Sequence, residues 1–95
     1  MAWSGVYHFN ASDTDFDSHL HIRFYPNREE GFREWFADGT IMNTLTMQKI
    51  TFKRAFVTMT KTGPELGCIQ MKITPGFTDS GRKVFYIDGR EHFKE

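Results

Sequence analysis

Apolar and polar positions alternate through residues 3–10, where Trp3, Gly5, Tyr7 and Phe9 fall on one side and Val6, His8 and Asn10 on the other. A period of two marks a strand whose two faces see different surroundings. The same period runs on through residues 13–24. Asp13, Asp15, Asp17, His19, His21 and Arg23 hold odd positions, while Phe16, Leu20, Ile22 and Phe24 hold even ones. In an extended chain one row is dry and the other wet, so residues 3–10 are expected to pair with residues 18–25 as an antiparallel hairpin.

Pro26-Asn27 breaks this run. Asn27 can cap a helix near residues 28–37, with Glu29 and Glu30 in its first turn, Phe32, Trp35 and Phe36 on one face and Gly39 past its end. A competing arrangement makes Asp38-Gly39 a two-residue hairpin turn, and Gly31 weakens the helix. The helix is preferred.

Residues 47–60 are rich in β-branched and aromatic side chains. Their apolar row changes phase between Ile50, Phe52 and Phe56 on one hand and Val57 and Met59 on the other, which predicts a bulge or bend near Lys53-Arg54. Thr62-Gly63-Pro64 then breaks the chain before residues 66–74, where Ile69, Met71 and Ile73 alternate with Gln70 and Lys72 as one amphipathic strand. Pro75-Gly76 and Ser80-Gly81 bracket a loop, residues 83–87 form another strand, and Asp88-Gly89 turns into a short tail. The pattern predicts a single mainly β domain over residues 1–95, of α+β type. Its architecture is a small antiparallel sheet, sandwich or partly rolled meander, with one short helix near residues 28–37.

Composition sharpens this picture. Ninety-five residues allow one core, and with aromatics at 16 %, ten of them Phe, bulky rings must supply much of its volume. Twelve basic and twelve acidic residues cancel, which removes the net field that drives non-specific nucleic-acid binding. The only cysteine, Cys68, allows neither an internal disulfide nor a cysteine-cluster metal site. Read as a buried small hydrophobe, it fits a reducing, cytoplasmic setting. Neither a signal-peptide pattern nor a run of about 18 apolar residues is present, so no membrane partner is expected.

The candidate chemistry lies in the wet row. If residues 3–10 pair with residues 18–25, His8 joins His19 and His21 on one face. Three imidazoles with Asp17 as a fourth ligand suit zinc or another divalent ion. The aspartate row fails as a calcium loop, because Phe24 stands where a bidentate glutamate is needed and Ser18 where the turn glycine belongs. Serine nucleophile elbows, phosphate-cradling glycine loops and metalloprotease helices are absent from the sequence. A non-catalytic role without a cofactor is therefore expected: recognition of another protein, or of its own copies, through an exposed sheet edge or an aromatic patch. Lys53, Arg54, Phe52 and Phe56 are the candidate binding residues. The alternative is metal binding or a metal-dependent activity at His8, His19, His21 and Asp17. A further alternative is weak single-stranded nucleic-acid binding on the same basic-aromatic strand.

Overall fold

In the computed structural model the described residues are 1–10, 16–28, 35–67 and 69–95. They form eight strands: β1 (Gly5–Asn10), β2 (Asp17–Pro26), β3 (Trp35–Asn43), β4 (Lys49–Thr60), β5 (Gly63–Gly67), β6 (Ile73–Phe77), β7 (Lys83–Ile87) and β8 (Arg90–Lys94). Every strand pairs antiparallel with its neighbour in sequence, and β8 returns to β1, so the sheet closes into an up-and-down barrel. This corrects the expected open sheet, sandwich or partly rolled meander. The closure comes from the segment read as a tail: Asp88 and Gly89 both have positive φ, the geometry of a two-residue hairpin turn. That turn lays Arg90–Lys94 back along β7, and Tyr7 and His8 of β1 take Lys94 and Phe93 as partners.

The alternation read from residues 3–10 and 19–25 becomes the inside and outside of the barrel wall. Tyr7, Leu20, Ile22 and Phe24 are buried, and β1 and β2 pair with His8 opposite His19 and Asn10 opposite Asp17. Phe52, Ala55, Val57, Leu66, Ile73, Phe85 and Ile87 complete an interior filled by side chains, as an eight-stranded barrel allows. Trp3 plugs the end of the barrel where β1 begins. Its ring lies 5.3 Å from both Phe77 and Phe85, its carbonyl accepts a 2.6 Å hydrogen bond from the Tyr7 hydroxyl, and Gly63, at φ +126°, leaves room for its indole. Burial pushes the Tyr7 phenol well above the ordinary range, so this donor keeps its proton.

Four other local expectations are corrected. Of the helix expected over residues 28–37, residues 29–34 lie outside the described residues. Trp35–Ala37 are strand, paired to β2 on one side and β4 on the other; two ladders outweigh a local capping signal. Asp38-Gly39 is no hairpin turn but lies inside β3, where Gly39 permits close approach: a Cβ there would sit 2.7 Å from the His21 carbonyl oxygen. The strand expected over residues 66–74 is two, with Leu66 of β5 opposite Ile73 of β6. Ile69 and Met71, on the connection, still pack against the core. Pro75-Gly76, expected to bound a loop, pair with Phe85 and Val84 inside β6. The missing proline N–H is tolerated because β6 meets β5 only at Ile73.

The phase change in β4 is where the sequence places it. The β3–β4 register shifts between Ala37 and Gly39, whose partners are Ala55 and Phe52. Lys53 and Arg54 thus form a bulge opposite Asp38, with Arg54 at φ +53°. The expected burial of Cys68 lies outside the described residues, as do Asp13 and Asp15. No helix among the described residues is long and apolar enough to cross a membrane.

Candidate metal centre

His8, Asp17 and His19 meet on the outer wall because of register. His8 and His19 are direct cross-strand partners, and Asp17 lies two residues before His19 on the same face, diagonal to His8. The two imidazoles stack at 4.2 Å between centroids, 12° from parallel. Both turn Nε2 toward one carboxylate: His8 Nε2 is 2.5 Å from Asp17 Oδ1 and His19 Nε2 is 3.5 Å from Asp17 Oδ2. The three donor atoms lie within 4.8 Å of one another, and all three residues are partly buried.

Asp17 is held by its neighbours. The Thr44 hydroxyl donates to Asp17 Oδ2, and the Thr44 amide donates to the Asp17 carbonyl at 3.0 Å. The Thr44 hydroxyl first and the His8 imidazole second hold the carboxyl well below its usual range, at about 2. It is an anion at any neutral pH. On the far side of His8, Nδ1 lies 3.9 Å from Glu95 Oε1, so one carboxylate faces each nitrogen of the ring. Metal-bound histidines commonly direct their second nitrogen toward such a group, which fixes ring orientation and raises ligand basicity.

The four metal candidates thus divide three to one. His21 is exposed, and its partners are Val6 and Thr40. It stands one full strand repeat, roughly 7 Å, beyond His19. The basic-aromatic group divides as well. Phe52 points into the core, whereas Phe56 is 51 % exposed. Lys53 and Arg54 occupy the exposed bulge, and the Arg54 guanidinium stacks over Phe36 at 4.9 Å. Tyr25, Phe36 and Phe56 are register partners across β2, β3 and β4, which makes an outer aromatic row.

Sequence reasoning missed a second polar group, on the inside of the wall. Ser18 and His92, both buried, share a 2.8 Å hydrogen bond near the end of the barrel opposite Trp3. Two signals pointed there. Ser18 is the polar member of the otherwise apolar row Phe16, Leu20, Ile22, Phe24, and Asp88-Gly89 is a hairpin dipeptide that sets His92 opposite Phe85. A scan against protein-family models, a search of curated proteins and a search of solved structures found no match to this chain.

Proposed function

We propose that this barrel binds a divalent transition-metal ion, zinc in the first instance, on its outer wall through His8, Asp17 and His19. The carrying observation is that both histidine Nε2 atoms converge on the Asp17 carboxylate. Zinc takes histidine nitrogen and carboxylate oxygen at about 2.0–2.2 Å, which sets donors roughly 3.4 Å apart on a tetrahedral edge. The donors already lie within 4.8 Å of one another, close to that spacing. A charged carboxylate facing both imidazole Nε2 atoms supplies the negative charge a dication needs. Three protein ligands leave a coordination position to solvent, the arrangement of exchangeable or catalytic sites rather than closed structural ones.

Calorimetric titration with zinc chloride tests this reading. Single-site binding is expected, strongly weakened in Asp17→Asn and His19→Ala and retained in His21→Ala. Saturation at about 100 times Kd should stabilise the fold by roughly 2.7 kcal/mol. Absence of binding at millimolar zinc, or equal loss in His21→Ala, would overturn it.

The half-exposed Phe56 in the outer aromatic row supports a second reading, self-recognition through that face rather than through an edge, since closure leaves none of the described strands free along its whole length. Sedimentation of the parent and of Phe56→Ser over a wide concentration range decides it: association present only in the parent supports the reading, and a monomeric parent ends it.

A further inference from the structure

The barrel is plugged by Trp3 at one end and carries a pocket at the other. Between β2, β3, β7 and β8 the second end holds a cavity of about 250 Å³, with Ile41, Met71 and Ile87 on its apolar walls and Ser18 and His92 in its lining. Asn43, Gln48 and Arg90 line the same space.

The hydrogen bonds fix the roles of the buried pair. His92 Nδ1 lies 2.9 Å from the Arg90 carbonyl oxygen. A carbonyl only accepts, so Nδ1 carries the proton and Nε2 is the acceptor. The Ser18 hydroxyl then donates to Nε2 across 2.8 Å. A hydroxyl, a base within hydrogen-bond reach and a third group orienting that base are the parts of an activated serine nucleophile. Burial pushes the His92 imidazole below its ordinary range, which keeps it in the neutral, proton-accepting form.

We propose that Ser18 is an acyl-accepting nucleophile, with His92 as its general base, for small esters entering the pocket that both residues line. In the forward step Ser18 Oγ bonds to the ester carbonyl carbon and its proton passes to His92 Nε2. The carbon–oxygen bond to the leaving alcohol breaks, and that alcohol takes the proton from His92. Water, deprotonated by the same nitrogen, then attacks the acyl-serine, releases the carboxylic acid and returns the proton to Ser18. Asn43, Gln48 and Arg90 carry side-chain N–H groups and line the same space, and we assign the oxyanion to them. A space of this volume falls below the roughly 300–1,000 Å³ of pockets for drug-sized ligands, which limits the acyl group to a small one.

The test is covalent labelling of the full chain by methanesulfonyl fluoride, a reagent small enough for this space, in the presence of a chelator, so that it stands apart from metal binding. Reaction joins Ser18 Oγ to sulfur and breaks the sulfur–fluorine bond, with fluoride leaving and His92 taking the hydroxyl proton. Peptide mapping of the unsubstituted protein is expected to place one adduct on Ser18, and His92→Gln is expected to slow labelling by about 10²–10⁴-fold. Mapping needs no variant to fold. An unlabelled Ser18 after prolonged exposure, or an unchanged rate in a His92→Gln protein with native circular dichroism, would overturn the proposal.

Discussion

Ile22 and His21 are chain neighbours that face opposite ways, one into the barrel beside Gly5 and Gly39 and one into solvent. Ile22→Ala should therefore cost about 2–4 kcal/mol by denaturant unfolding, and His21→Ala less than about 0.5; equal losses would contradict the register. The period of two made this inside-outside division legible from the sequence. Period alone does not say which histidine of His19-x-His21 meets His8, because both lie on the wet row. The cross-strand register selects His19, and the carboxylate diagonal selects Asp17. The pairing of Ser18 with His92 was illegible for a different reason: they are far apart in the chain, and each satisfies the other's polar groups only once β8 has closed the wall. A buried polar residue in an apolar row announces that it has a partner, but not where the partner is.

At the scale of elements, the bulge in β4 was legible and the conformation of residues 35–37 was not. The bulge leaves its mark within a few residues, as a slip in apolar phase between Phe52 and Val57. The strand at Trp35–Ala37 is set by long-range ladders on both sides, and local capping signals carry no information about those. Asp38 holds the bulge together. Its Oδ1 accepts from the Arg54 amide at 2.8 Å and from the Tyr25 hydroxyl at 2.9 Å, and its Oδ2 accepts from Arg23 at 3.1 Å. Desolvation pushes its carboxyl up, but these three donors, the Arg54 amide foremost, hold it below the usual range. Asp38→Ala removes the acceptor shared by the Arg54 amide, the Tyr25 hydroxyl and Arg23, and should cost about 0.5–1.5 kcal/mol. Asp38→Asn keeps an acceptor and should cost less. Chemical denaturation of the two variants checks the order, and a larger loss in Asp38→Asn would remove Asp38 from this role.

The whole molecule gains its closure from a short strand, and with it a pH dependence. His92 is buried on the inside of the wall, and desolvation, against the opposing hydrogen bond to the Arg90 carbonyl, holds its pKa below the ordinary 6.5. The unfolded chain binds a proton near pH 6.5 and the folded chain does not. Stability is thus complete above that value and falls with pH until the folded-state pKa is reached. Urea midpoints between about pH 7 and about pH 5 should fall for the parent and fall less for His92→Gln, and parallel curves would show that this residue is not the source. Closure also fixes the β1–β2 register on which the metal reading rests. The most direct test of that reading is a two-dimensional NMR spectrum of the imidazole nitrogens recorded through a zinc titration. Saturable shifts of His8 and His19 Nε2, with His21 and His92 unmoved, are expected. Shifts of His21 in step with His19, or no shift at either His8 or His19, would contradict the account.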